Sequence, residues 1–158
     1  MNVTTGEIVN GVKRRWIAEG TICAYQIEVL SMQILDLWNR DVITTLTAAD
    51  SALPTFGLLY DLSASGVSMP YLIYCYRRID EIVILPQPKM QLNLLLRDRA
   101  PLRIALALVI ASSMSGAIAL GRGRRVHDPA STDADDRIHA QAFFAAPDAE
   151  AWLRLQVM

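Results

Sequence analysis

Cysteine and histidine are both scarce in this chain, and each scarcity closes off a class of function. The only cysteines, Cys23 and Cys75, lie far apart, so neither a disulfide framework nor a zinc-ligand spacing can be read from them. A reducing, cytoplasmic setting is the default for such usage. The only histidines are His127 and His139. There is no glycine-rich phosphate loop, no dinucleotide fingerprint and no alternating Gly-x-Ser-x-Gly nucleophile elbow. No cofactor is expected. Charge of one sign is also missing: the formal net charge is −1, which gives no bulk attraction to nucleic acid or to an anionic membrane. Met1–Asn10 shows no basic stretch followed by an apolar run, so no signal peptide is read there.

What is present is apolar substance. The chain has 158 residues, 53% of them apolar and 20% charged, enough for one domain with a sizeable core. Residues 1–10 read as a flexible lead-in, 11–158 as a single domain, and about 122–136 as a mobile, aspartate-rich surface loop with no periodicity. Ile104–Gly121 carries no charged residue and precedes Arg122, Arg124 and Arg125, a length and flank that could suit a bilayer span. Ser112, Ser113 and Ser115 at its centre favour another reading, in which a buried strand (Leu102–Ile110) runs into a capped helix (Met114–Leu120). No stable membrane span is expected.

Taken in order, Val12–Ala18 and Thr21–Leu30 flank Glu19-Gly20 and predict a β-hairpin, with Lys13, Arg14 and Arg15 charging an edge strand. Ser31 caps a helix over about Met32–Ala49, with Leu35, Trp38, Val42 and Leu46 as its buried stripe. Gly57–Asp61 is a buried strand ending in a carboxylate. A helix over Met69–Ile82 is stopped by Pro86 and Pro88, and a short one follows at Lys89–Arg97. Arg137–Ala145 is the last strand, with Ile138, Ala140, Ala142 and Phe144 on one face. Pro147 opens a closing helix docked by Trp152, Leu153 and Val157. The fold class is therefore α/β: a mostly parallel sheet of about five strands, with an N-terminal antiparallel hairpin and helices packed on it.

The centre of interest is Phe56–Gly66, a strand, a tight polar turn and a helix start, the arrangement in which open α/β domains place binding sites. Asp61 is its best single polar group. It can accept backbone N–H bonds and fix its own loop, or meet a ligand or partner. Ser63, Ser65 and Ser68 read as turn formers and a cap, or as a phosphorylation switch at a helix N-terminus. Ser112 and Ser113 lie on the same predicted rim and join Asp61, Ser63 and Ser65 as tentative ligand or partner contacts. A Ser63–His139–Asp61 unit can be written down, supported only by availability. Asp133, Asp135 and Asp136 read as a solvated acidic loop more readily than as a cation site, and no metal site is expected. Tyr60, Tyr71, Tyr74 and Tyr76 fall in one strand–loop–helix unit, either as core or as the lining of an apolar pocket or interface.

The order of elements, Tyr60-Asp61-Leu62-Ser63 at the end of a central strand, and the closing FFAAPDAEAWLRL resemble the STAS fold. More narrowly they resemble small bacterial SpoIIAA-like (STAS/SEC14-related) proteins. The resemblance spans about Val12–Leu155. It implies a hairpin entry, a parallel core and a non-enzymatic role, regulatory or ligand-holding, exerted through another protein or a small apolar ligand, with a homodimer left open. It also implies Ser65 as the matching phosphorylation position, although the acidic residue directly before the family's serine pair is absent, and the Pro86–Arg97 insert is foreign to the basic plan. The runner-up is an α/β enzyme using Asp61 and the rim serines, and a third reading is membrane association through Ile104–Gly121.

Overall fold

The computed structural model describes residues 6–9, 11–29, 31–64, 86–99, 102–111 and 137–158. A six-stranded sheet runs in chain order: β1 (Gly6–Val9), β2 (Val12–Ile17), β3 (Ile22–Ile27), β4 (Thr55–Asp61), β5 (Arg103–Val109) and β6 (Ile138–Phe143). β2 is antiparallel to both its neighbours, β1 and β3, and β3 to β6 are parallel. Three helices are described: α1 (Met32–Ala48), α2 (Pro86–Asp98) and α3 (Ala146–Val157). The α/β architecture with an antiparallel entry is as the sequence predicts. The helices predicted at Met69–Ile82 and Met114–Leu120, and the loop at 122–136, lie outside the described residues.

Two expectations need correction at the amino end. Residues 1–10 are not lead-in throughout, because Gly6–Val9 forms a strand on β2. β2 is therefore not an edge, and its basic residues do not serve as edge charges. Each is paired instead: Lys13 with Glu28 at 2.9 Å, Arg14 with Asp41 at 2.8 Å, and Arg15 with Glu150. A four-residue run shows helical or strand periodicity too briefly to be seen against its neighbours, which is why β1 escaped.

Local chemistry explains the elements. In the β2–β3 turn Ala18, Glu19 and Gly20 all have positive φ (53°, 58° and 84°), and Thr21 Oγ1 donates to the Ala18 carbonyl at 2.6 Å to hold the strained backbone. Ser31 caps α1 by accepting from the Ile34 N–H at 3.3 Å. Pro86 and Pro88 lie in the first turn of α2, where a backbone N–H has no intrahelical use.

The sheet separates two cores. On one face, α1 and α2 cover Tyr25, Phe56, Leu58, Tyr60, Leu106 and Leu108 with Leu35, Trp38, Val42, Leu46, Leu92 and Leu96. Each such side chain contributes about 1.5–3 kcal/mol on burial. On the other face, α3 lays Ala149 and Leu153 over Ile22, Ala24, Leu59, Ala105, Ala107 and Val109. Small residues let α3 approach closely. A Cβ on Gly57 would lie 2.8 Å from Ile22 Cγ1 and 3.4 Å from Val157 Cγ1, so this position admits only glycine without repacking. β5 takes up Ile104–Val109, the first part of the long apolar run. Among the described residues no helix is long and apolar enough to cross a membrane.

Candidate functional site: the carboxyl rim

β4 is central because both its faces are apolar, and it ends where its sequence turns polar, at Asp61. The sheet register puts Asp61 level with Val109 and Val109 level with Phe143, so the strand ends share one rim as predicted. Asp61 Oδ1 accepts from the Ser63 backbone N–H at 3.1 Å and from Ser63 Oγ at 2.5 Å. This closed Asx turn uses both donor groups of Ser63. Ser65, Ser112 and Ser113, the other predicted contacts, lie outside the described residues, so the structure brings together Asp61 and Ser63 alone.

Strand alternation points Asp61 to the α3 face, where it borders a cleft of about 120 Å³ with Lys13, Arg15, Gln26, Leu59 and Ala146. The charges around this cleft are already matched. Arg15 is bound to Glu150 on α3, Lys13 to Glu28, and Asp61 to its own turn. The N-cap of α3, Ala145, supplies no side-chain cap. Asp148 in the first turn offsets the dipole instead.

His139 is not part of this rim. It pairs with Ala105, which pairs with Gly57, so it lies level with a point four residues before Asp61 on β4. That separation is about 13 Å along the strand direction, at roughly 3.3 Å per residue, with a further strand between them. A Ser63–His139–Asp61 relay has no geometry here, because its members must meet at hydrogen-bond distance. The ring of His139 instead lies edge-on to Trp152, with centroids 5.2 Å apart. Among the described residues no three of His, Cys, Asp and Glu cluster as metal ligands would.

The rim also carries exposed apolar side chains. Val29 after β3, Met32 opening α1 and Phe144 after β6 are 50%, 52% and 55% exposed. The sequence places Phe144 on one face with Ile138, Ala140 and Ala142, yet Ile138 is buried and Phe144 is not. The strand ends at Phe143, so alternation no longer applies to its neighbour.

Under the rim, on the α1 face, lies a polar network that sequence patterning missed. Asp41 accepts from both Arg14 and the Tyr25 hydroxyl at 2.8 Å, and Thr45 meets Tyr25 at 3.1 Å. Burial opposes the Arg14 charge, but Asp41 outweighs it and holds the guanidinium above its usual value. Burial pushes the Tyr25 phenol up, and it pushes the adjacent Cys23 thiol up to about 12. The available signal was the i, i+4 pair Asp41 and Thr45 beside Trp38 and Val42 on α1. Tyr60 belongs to this core too, 3% exposed and edge-on to Trp38 at 4.6 Å. The Trp38 Nε1–H is buried with no hydrogen-bond partner among the described residues; an unmet donor of this kind costs roughly 1–3 kcal/mol.

Comparison with family models, with characterised proteins and with solved structures returned no match to this chain. Its class is therefore defined by the architecture alone: an α/β sheet domain whose central strand ends in a closed polar turn.

Proposed function

We propose that this protein is a non-catalytic binding module of STAS/SpoIIAA-like type, acting through apolar contacts that another protein or a small apolar ligand makes with its carboxyl rim. The observation that carries this reading is the combination at the rim: Asp61 is bonded to its own turn, and Val29, Met32 and Phe144 stand exposed around it. A carboxylate engaged in fixing a loop is a poor general base, while exposed apolar side chains gain by being covered. The order of strands and the closing helix are compatible with the resemblance seen in the sequence. A regulatory role through phosphate on Ser65 and a homodimer are extensions of the same reading.

The test uses an apolar fluorescent probe, anilinonaphthalene sulfonate, on the full chain. Met32→Asp with Phe144→Asp should weaken probe binding at least fivefold, whereas Arg154→Ala, on the exposed side of α3, should leave it unchanged. Equal binding by the rim variant overturns the apolar-contact reading. Turnover of ester or phosphoester substrates that Asp61→Asn abolishes would replace it with the α/β enzyme. Phosphate found on Ser65 by mass spectrometry after incubation with cognate kinases would add the regulatory arm.

A further inference from the structure

The opposite end of the sheet holds a second cleft, on the α3 face. It encloses about 230 Å³ and is lined by Thr55, Arg103, Ile104, Ala105, Arg137, His139 and Gln156. Four elements converge on it. Thr55 opens β4, Arg103 opens β5 directly beside it in register, His139 lies on β6, and Gln156 comes from the last turn of α3. Arg103 and His139 are on neighbouring strands two positions apart, about 8 Å between Cα atoms, so both side chains can reach one small group.

Among the described residues the lining contains no carboxylate. By contrast, the basic residues of β2 and Arg40 on α1 are each bound to an acid. The Arg103 backbone N–H donates to the Pro54 carbonyl at 2.9 Å, but among the described residues its guanidinium makes no ion pair. Its neighbour Arg137 is occupied in another way, donating to the carbonyls of Leu96, Arg99 and Leu102. Burial, and then the nearby Arg103 charge, push the Arg137 pKa down. Two guanidinium groups thus repel one another with no acid among the described residues lining the cleft, and an anion would relieve that repulsion.

We propose that this cleft binds the phosphate group of a small phosphate monoester. Arg103 supplies the charged, planar donor fork, and the Thr55 hydroxyl, the His139 ring and the Gln156 amide supply further donors. Donors arriving from four walls suit a tetrahedral dianion better than a planar carboxylate. The space corresponds to several water volumes at about 30 Å³ each, more than bare phosphate fills, which is the reason for an ester. The carbonyl end of α3 opposes an anion, and Arg154 in the same last turn counters it. The site lies at the far end of the strands from Asp61, so it stands or falls independently of the carboxyl rim.

The experiment is a nuclear magnetic resonance titration of the full chain at constant ionic strength, following the Arg103, His139 and Gln156 resonances. Inorganic phosphate and glycerol 2-phosphate should both shift them saturably, and the ester should displace phosphate. Arg103→Ala should weaken phosphate binding at least tenfold. Arg103→Lys, which keeps the charge but loses the fork, should weaken it less. Arg97→Ala, on exposed α2, should change nothing. Arg103 is exposed, so its variants are expected to keep the wild-type amide spectrum. Shifts that sodium chloride or acetate reproduce, or that survive Arg103→Ala, would overturn the site. Phosphate binding that the ester cannot displace would overturn its assignment to a monoester.

Discussion

At the residue scale, the buried polar groups of the α1 face have more consequence for stability than the exposed ion pairs. Arg40 with Asp36 is an exposed i, i+4 pair and contributes at most about 0.5 kcal/mol. Cys23 and Tyr25 are fully buried and held protonated. The thiol has an ordinary value of 9.0 and is pushed by burial to about 12. Between those limits the unfolded chain releases its proton while the folded chain keeps it. The unfolded state then binds fewer protons, so stability falls as pH rises. Urea midpoints should accordingly decline from about pH 9 upward, with a slope of up to roughly 1.4 kcal/mol per pH unit from the thiol. Tyr25 adds to the decline at still higher pH, because burial also raises its phenol. Cys23→Ala should be less stable near neutrality and show a shallower alkaline slope. An unchanged slope in that variant would remove the thiol from the account.

At the element scale, two arginines tie helix ends down, one to the other helix and one to the sheet. Arg99 donates to the carbonyls of Leu46 and Asp50, both at 2.7 Å, at the close of α1. Arg137, only 4% exposed, does the same for Leu96, at the end of α2, and for Leu102, just before β5. These are carbonyls that a helix end and a strand entry cannot satisfy internally. Arg137→Met preserves much of the side-chain bulk but leaves several buried acceptors without donors, so it should cost about 3 kcal/mol or more in a urea titration. Arg137→Lys should recover only part of that loss, since one ammonium cannot reproduce the fork. Neither arginine was legible as a cap in the sequence, because its targets lie far along the chain. α1 was legible nearly to the residue, since Ser31 and the Leu35–Trp38–Val42–Leu46 stripe are local signals. β2 and β3 were legible through alternation about Glu19-Gly20. β1 was not, and its discovery changes the role of Lys13, Arg14 and Arg15. At the candidate site the Asp61–Ser63 turn could be read because it spans three residues of sequence. The Arg103–His139 cleft could not, because register alone brings those residues together.

At the scale of the whole molecule, the sheet divides its labour between unequal covers. α1 and α2 share one face, and among the described helices α3 alone lies on the other, with Leu153 and Ala149 buried and Trp152 and Val157 partly so. The strand residues beneath α3, Ile22, Leu59, Ala107 and Val109, come from three different strands, so the last segment of the chain completes a core begun near its start. Such long-range closure is slow to form and exposes an apolar sheet face until it is made. Ending the chain after Ala145 should therefore give a protein that retains strand signal but binds anilinonaphthalene sulfonate strongly and self-associates in sedimentation. Leu153→Ala gives the graded version, with a loss of about 2–5 kcal/mol and no gross association. A truncated chain that stays monomeric and cooperative would mean that the α1 and α2 core is sufficient for the fold. In that case α3 would serve chiefly to frame the two clefts to which it contributes Ala146 at one end and Gln156 at the other.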